Sequence, residues 1–353
     1  MEEIDAQKPI LVTGASGYMA SWITRLLLEE GRYVKATVRD KSNMEKVGHL
    51  LRMGEECPGT VELFEADLLK NGSFEAAMAD CELVIHNASP FKMFGIKDPQ
   101  KELIEPALEG TRDVLTSATR IPSVKRIVLT SSYVAVYGDA IDIKASPGEV
   151  FTESDWNTTS TPNHQPYYYS KTVAEKEAWR IAGEQTQWDL VVVNPGFVLG
   201  PSLTNRTDSF SIDFMLSLMS GRYKRGVPDR YFGVVDVRDV AIAHLLAGTV
   251  SAASGRHILV ADTLTFLEIT NILRKKYGDY PLPKRNAPRP FLYLFALFQG
   301  IPLKNIKLNV GIPIKFDNSY SRKDLGIEYT PVEKTLHDHA AQIIESGLLK
   351  KKS

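Results

Sequence analysis

Tyr167 and Lys171 stand four residues apart in the segment YYYSKTVAEKEAWRIA, whose content of good helix formers predicts a helix over 167–182. One helical turn would hold both side chains on one face. A phenol titrates near ~10 and shuttles protons poorly at neutral pH, whereas an adjacent ammonium favours the phenolate and lowers that value. The same spacing recurs at Tyr280 and Lys284, but Pro281 and Pro283 exclude a regular helix there, and that pair reads as coincidence. Thr130-Ser131-Ser132, at the end of a predicted strand, offers a hydroxyl to hold the oxygen that receives the proton. Ser132 is the first choice and Ser131 its nearest rival; the plain alternative is a set of satisfied strand-end hydroxyls.

A second constellation lies near the start of the chain. Thr13-Gly14-Ala15-Ser16-Gly17-Tyr18-Met19-Ala20 follows an apolar strand and opens a helix expected to run to about Glu30. Gly14 permits a tight turn, Gly17 allows backbone N–H groups to approach a pyrophosphate, and Ala20 is small enough for helix to pack on strand. An ordinary strand-to-helix turn is the plain alternative. About twenty residues further on, Thr37-Val38-Arg39-Asp40 ends the second strand, where an adenosine ribose would be read. Asp40 would accept from a 2′-hydroxyl and select NAD; Arg39, joined by Lys46, would pair with a 2′-phosphate and select NADP. Two cations on adjacent segments favour NADP(H), with a solvated surface arginine as the alternative.

These residues need a scaffold, and the apolar pattern supplies one. Short runs at Ile10–Val12, Tyr33–Val38, Val61–Phe64, Leu83–His86, Arg126–Thr130 and Leu190–Val193 alternate with amphipathic stretches. That rhythm predicts an α/β protein: a doubly wound parallel sheet of the Rossmann type with helices on both faces. The division expected is a dinucleotide-binding domain over 1–195, with a return segment at about 228–262, and a smaller substrate lobe over 196–353. A polar stretch at about 141–165 is long enough to be a functional loop. The stretch Val332–Leu349 reads as a closing helix, with Lys350-Lys351-Lys352 as its solvated end. Phe91, Met93, Phe94, Tyr137, Tyr168, Phe197 and the loop near Tyr231 follow strand ends or lie in the lobe and are candidates to line an apolar pocket; plain core is the alternative. Ser89 follows the fourth strand with His86 and Asn87 and would shape the nicotinamide side.

Composition narrows the field. The chain has 353 residues, 43% hydrophobic, with 42 Lys plus Arg against 43 Asp plus Glu, so a large core is available and no net charge draws it to nucleic acid. Cys57 and Cys81 belong to no CxxC pair or His cluster, so neither a disulfide framework nor a metal site is expected. No basic stretch leads into a secretory apolar core, and the longest apolar run, Phe291–Phe298, is far too short to span a bilayer. A cytoplasmic protein without a membrane partner is expected. The triplets at Asn157 and Asn205 match a glycosylation pattern and carry no weight without a signal peptide. Pro290–Phe298 suits either lobe core or a partner-facing surface, leaving monomer and homodimer both open.

Taken together, TGASGYMA, TVRD, TSSYVAVYG, YYYSKTVAEKEAW and NPGFVLGP resemble the extended short-chain dehydrogenase/reductases, in particular the dihydroflavonol reductase-like branch. The resemblance covers nearly the whole chain and implies NADPH-dependent reduction of a small-molecule carbonyl. By it, the catalytic Ser, Tyr and Lys fall on Ser132, Tyr167 and Lys171. The cofactor contacts fall on Gly14, Gly17, Tyr18, Met19, Arg39, Lys46, Asp67, Leu68, Ala88, Pro195 and Val198, with Ser16, Ser89, Thr130, Tyr167 and Lys171 beside them. Ala20 stands where many members have a third glycine. Tyr137 stands where plant dihydroflavonol reductases carry an Asn that holds the substrate ring, which argues against a strict dihydroflavonol substrate. The alternatives are a sugar-nucleotide epimerase or hydroxysteroid dehydrogenase using NAD(P), and a dinucleotide-sensing scaffold without turnover.

Overall fold

The computed structural model describes residues 4–89, 95–299 and 302–349. Ten strands are β1 (Ile10–Thr13), β2 (Tyr33–Val38), β3 (Thr60–Glu65), β4 (Leu83–His86), β5 (Arg126–Thr130), β6 (Asp189–Pro195), β7 (Phe197–Leu199), β8 (Tyr231–Asp236), β9 (Gly255–Leu259) and β10 (Asp262–Thr265). The first seven helices are α1 (Tyr18–Glu29), α2 (Met44–Glu56), α3 (Glu75–Met78), α4 (Glu105–Arg120), α5 (Pro166–Gly183), α6 (Phe210–Met219) and α7 (Val237–Thr249). They are followed by α8 (Phe266–Tyr277), α9 (Arg289–Gln299), α10 (Leu303–Asn309), α11 (Ser319–Leu325) and α12 (Val332–Glu345).

Seven strands form one sheet in the order β3-β2-β1-β4-β5-β6-β9, every adjacent pair parallel. The chain reverses direction across the sheet between β1 and β4, leaving a crevice at the carboxyl edge where a dinucleotide can lie. Strands β1, β4 and β5 are buried at every residue, because helices cover both faces and no position along them can be polar and solvated. Strand alternation divides the core. Ile10 and Val12 join the cluster with Ile23, Leu27, Val240 and Ala243 of α1 and α7, while Leu11 joins Val114, Leu115 and Ala178 of α4 and α5. At the edge, β3 reads TVELFE with both glutamates exposed, which keeps that open edge charged.

Strands β10, β8 and β7 form a separate three-stranded sheet over the lobe. Of the 228–262 segment expected to return to the main sheet, Gly255–Leu259 does so as β9, whereas Tyr231–Asp236 pairs with β7 and β10 instead. The switch happens at Gly196. A Cβ there would lie 2.2 Å from the Gly233 carbonyl oxygen, so only glycine lets the chain leave β6 and run against β8. The closing helix α12 stops at Glu345, four residues before the expected end at Leu349, and the Lys350–Lys352 tail lies outside the described residues.

Candidate active site

Strand β5 ends at Thr130, and Ser131 and Ser132 follow as the chain leaves the sheet at its carboxyl edge. Their hydroxyls go to different partners. Ser131 Oγ donates to the carboxylate of Glu175, whereas the Ser132 hydroxyl shares a hydrogen bond with the phenol of Tyr167. Ser132 Oγ also accepts from Val134 N at 3.4 Å. Ser132, the first choice in the sequence, is thus the serine that meets the first turn of α5, while its rival Ser131 is turned to Glu175. Pro166 starts that helix, its missing N–H costing nothing at this position, and Gln165 before it takes a left-handed turn at φ 57°. The expected 167–182 helix is observed as Pro166–Gly183, while Tyr280 and Lys284 lie outside any helix.

Burial dominates the electrostatics of the pair. It pushes the Tyr167 phenol well above its usual range, the neighbouring Tyr168 adds to this, and the bond to Ser132 opposes it. Lys171 is pushed down to about 8 by burial, against an opposing contribution from Glu175. The sequence predicts an ammonium that acidifies the phenol; here desolvation of both groups outweighs such a term. Lys171 Nζ lies 3.5 Å from the Thr130 carbonyl oxygen and acts on His86, which burial and that positive charge hold down to about 3. His86 is a neutral strand residue, with the Thr13 hydroxyl donating to its Nδ1 at 2.9 Å.

Two buried networks hold these groups, and sequence reading missed both. Glu175, one turn beyond Lys171 on α5, accepts from Ser131, from Asn194 Nδ2 at 2.8 Å and from Arg256 Nε at 2.5 Å. Arg256 lies 3.9 Å from the centre of the Trp156 ring and donates to the Glu153 and Asp155 carbonyls at 2.8 and 2.6 Å. This ties the long loop before α5 to β9. The spacing of Lys171 and Glu175 was the one available signal. In the second network, His244 Nδ1–H donates to Val240 O at 2.7 Å, leaving Nε2 to accept from the Thr130 hydroxyl at 2.7 Å. Thr130 Oγ1 accepts in turn from Asn87 Nδ2 at 3.0 Å. Burial pushes His244 down to about 4, so it is neutral at physiological pH and fixed in one tautomer.

At the glycine turn, Gly14 adopts φ 65°, and a Cβ there would sit 3.1 Å from Cα and Cβ of Ala88. Ala88 is held in place by its own N–H donating to Thr13 Oγ1 at 3.0 Å. Gly17 caps α1 without a side-chain acceptor, so the first-turn N–H groups of Tyr18 and Met19 are offered outward. The Tyr18 hydroxyl is spent on Gly200 O at 2.7 Å, and Ala20 is fully buried against the strands. Ser89 joins Ala88, His86, Thr130 and Lys171 around a cleft at the other end of the crevice. Pro195 ends β6 and Val198 is buried in β7 on the α1 side. Asp67 and Leu68 follow β3; Asp67 Oδ1 accepts from Leu69 N at 2.9 Å, and Leu68 packs on Gly110 of α4.

Beyond β2, a cavity of about 290 Å³ is lined by Ser16, Arg39, Asp40, Asn43, Lys46 and Arg206. Asp40 is committed locally: its Oδ1 accepts from Ser42 N at 2.9 Å and Ser42 Oγ at 2.6 Å, and these bonds hold its carboxyl below the usual range. Arg206 comes from the loop after β7 and donates to Ser16 O at 2.8 Å while pairing with Asp208. In the sequence it was only the middle residue of a discounted glycosylation triplet; nothing but the tertiary contact reveals it. The glycine cradle, the uncapped helix start and the cationic cavity fit a dinucleotide phosphorylated on its adenosine ribose.

The aromatic candidates separate into two groups. Tyr137 is buried among Phe151, Tyr133, Tyr168 and Phe316, with ring centres 4.9–6.1 Å apart, and Tyr167 and Tyr231 pack on this cluster. Phe197 instead sits with Phe210, Phe214 and Phe232 in the lobe core, because β7 turns that residue toward α6. Phe91, Met93 and Phe94 lie outside the described residues. Arg230, which pattern reading passed over, donates to the Tyr168 hydroxyl at 3.0 Å.

The sheet, its glycine turn and the Ser–Tyr–Lys grouping define a Rossmann-fold oxidoreductase of the extended short-chain dehydrogenase/reductase class. Residues 10–261 match the NAD dependent epimerase/dehydratase family, and the chain belongs to it. It is 38% identical over 340 residues to cinnamoyl-CoA reductase CAD2 of Medicago truncatula, covering 95% of each chain. The solved structure of Gre2 from Candida albicans in complex with NADPH is similar at a TM-score of 0.78 and 28% identity, covering 96% of this chain and 99% of that one. Yeast methylglyoxal/isovaleraldehyde reductase Gre2, also complexed with NADPH, aligns at a TM-score of 0.76 and 30% identity over 96% and 98% of the two chains.

Proposed function

We propose that the protein reduces an apolar or aromatic aldehyde or ketone, with Ser132, Tyr167 and Lys171 as its catalytic residues. It is an NADPH-dependent carbonyl reductase, as its reductase relatives and the cationic cavity at Arg39 and Lys46 support. The observation that carries the residue assignment is the hydrogen bond between the Ser132 hydroxyl and the Tyr167 phenol, one helical turn from Lys171 at the carboxyl edge of the sheet.

When bound, the dinucleotide supplies the hydride. The chain's own residues handle the oxygen and the proton. Ser132 donates to the carbonyl oxygen and holds it against Tyr167. The Tyr167 phenol gives its proton to that oxygen as negative charge builds there. Lys171, charged below about 8, sits behind the tyrosine near Thr130 O, placed to bind a ribose hydroxyl and to compensate the charge left on the phenol. Gly14, Gly17 and the first turn of α1 would hold the pyrophosphate, with Ala88 and Ser89 along the nicotinamide side. Arg39 and Lys46, with Arg206 joining from the lobe, would hold the 2′-phosphate. The aromatic cluster around Tyr137, on which Tyr167 packs, would form an apolar wall beside the reacting face. We place the substrate in the lobe over 196–353 and the dinucleotide on 1–195 with β9.

The test is the initial rate of NADPH and NADH oxidation with a panel of aliphatic, aromatic and keto-ester carbonyls, with Tyr167→Phe as the partner variant. Turnover is expected with NADPH and is expected to fall by about 10²–10⁴-fold in the variant, with NADPH binding retained. A variant as active as the parent would overturn the assignment. A sugar nucleotide turned over with bound NAD would replace it by the epimerase reading.

A further inference from the structure

Helix α9 shows its apolar residues to solvent. Its inner face, Leu292, Tyr293 and Ala296, packs on Ile306 and Val310 at and beyond α10. Phe291, Leu294, Phe295 and Phe298 follow the i, i+3, i+4, i+7 spacing of one helical stripe and lie on the other side. They are 45%, 55%, 48% and 80% exposed, with Leu297 and Leu303 exposed beside them. In a helix of a water-soluble lobe that stripe would carry charges. The apolar stripe here is continuous and large-sided, the kind of patch that marks a contact surface.

The segment that carries the stripe is basic: Arg289 stands on α9 and Lys304 and Lys307 on α10, with Asp229 near Arg289 at Gly311 and Asp279 and Asp317 flanking the segment in sequence. From Tyr280 to Phe316 the chain has no Asp or Glu and six cations: Lys284, Arg285, Arg289, Lys304, Lys307 and Lys315, in a protein whose overall charge is −1. All six are exposed and none forms an ion pair among the described residues. Lys224 and Arg225 extend the basic surface, because Arg285 Nε donates to Arg225 O and Val227 bridges to Asn286. A second copy docked by two-fold symmetry would bring these like charges together around the shared stripe, which disfavours it as the occupant. An anionic lipid surface complements both features: acyl chains for the aromatic stripe, phosphate-bearing headgroups for the cations at its margins.

We infer that α9 and its basic margins form a peripheral docking face for an anionic membrane surface. The helix lies in the headgroup region and does not span; among the described residues no helix is long and apolar enough to cross a bilayer. This departs from the expectation of no membrane partner, which rested on net charge and on the length of apolar runs, and neither quantity reports a local pairing of stripe and cations. The docking face is structurally tied to the aromatic wall of the active site. Asn309 at the end of α10 donates to Asp139 at 2.6 Å, and Ile312, Ile314 and Phe316 continue from it into the cluster that holds Tyr137. The inference does not depend on which carbonyl compound is reduced.

The experiment is co-sedimentation of the full-length protein with vesicles of phosphatidylcholine alone and of phosphatidylcholine mixed with phosphatidylserine, at low and high salt. Binding is expected only to the anionic vesicles and is expected to weaken with salt. Replacing Leu294 and Phe298 together by Ser is expected to lower partitioning by about tenfold or more while leaving reductase turnover in solution unchanged. Lys304→Glu with Lys307→Glu provides a second route to the same loss without touching the stripe. No binding to either vesicle would overturn the inference. So would a dimer in solution that the Leu294/Phe298 change dissociates, since the stripe would then be covered by a second copy.

Discussion

The two ends of the crevice are built on opposite principles. At the end proposed for the nicotinamide, Lys171, Glu175, Ser131, Asn194 and Arg256 are all buried, Glu175 and Arg256 are paired inside the protein, and Lys171 reaches the Thr130 carbonyl. At the adenosine end, Arg39 is exposed and lines an open cavity with Lys46 and Arg206, their charges facing space that an anion can fill. The first arrangement fixes geometry before anything binds, which proton transfer requires. The second leaves Arg39 and Lys46 facing open space, with Arg206 only partly paired, so that an arriving anion is selected by charge. Preorganisation and selectivity are thus separated by the length of the dinucleotide, and each end can be broken without the other.

Glu175→Gln tests the closed end and carries the largest stability effect. The carboxylate is the buried partner of Arg256 and the acceptor for Ser131 and Asn194, so its neutralisation should destabilise the fold by roughly 3 kcal/mol. Chemical unfolding measures this directly. The variant also has a signature that mere destabilisation lacks. Lys171 sits at about 8 because burial lowers it and Glu175 opposes the fall. The lysine is charged below that value and neutral above it, so kcat/KM for reduction should decline as pH rises through about 8. Removing the Glu175 charge takes away the opposing term, so the alkaline limb should move to lower pH. A limb that stays in place would show that Lys171 is not the group being titrated.

The same contrast explains what the sequence could reveal. The main sheet was legible because its strands are short apolar runs and its helices carry a 3.6-residue pattern; β1, β2, β4 and β5 fall within a residue of the predicted runs. Tyr167 and Lys171 were legible because both lie on one helix, where spacing is geometry. Ser132 was preferred to Ser131 in the sequence, but what distinguishes adjacent residues at a strand end is the partners that tertiary structure brings to them, Tyr167 for the one and Glu175 for the other. Glu175 could have been found by its spacing from Lys171, but Arg256 and His244 reach the site from distant elements and leave no local pattern. The return segment was split for a similar reason: short apolar runs do not say which sheet a strand joins, and the close approach of Gly196 to Gly233 places β8 against β7 while β9 pairs with β6.

At the open end, Arg39→Ala should raise the KM for NADPH by about tenfold, the loss of a charge-assisted contact, and leave that for NADH nearly unchanged. The ratio of the two is the informative quantity, because any general damage to the crevice moves both. The competing reading gave the ribose to Asp40. With that carboxylate already accepting two bonds from Ser42, Asp40→Ala should do little to NADH use, and a selective loss of NADH turnover would return the residue to the site.

Arg206→Ala should have the smallest effect and asks the most specific question. Its guanidinium spans the glycine turn and its own loop, donating to Ser16 O and pairing with Asp208, so in the free protein it is already partly satisfied. Two other cations remain at the cavity when it is removed, and their long side chains can re-aim in solvent. A rise in the NADPH KM of about threefold is therefore expected, with the response to ionic strength weakened because one fewer cation faces the phosphate. Arg206→Lys should restore the salt dependence, since a phosphate at this position reads charge more than fork geometry. If the alanine variant raised the NADH and NADPH constants equally, Arg206 would be a clasp on the Ser16 turn and not a phosphate ligand, and discrimination at the open end would rest on Arg39 and Lys46 alone.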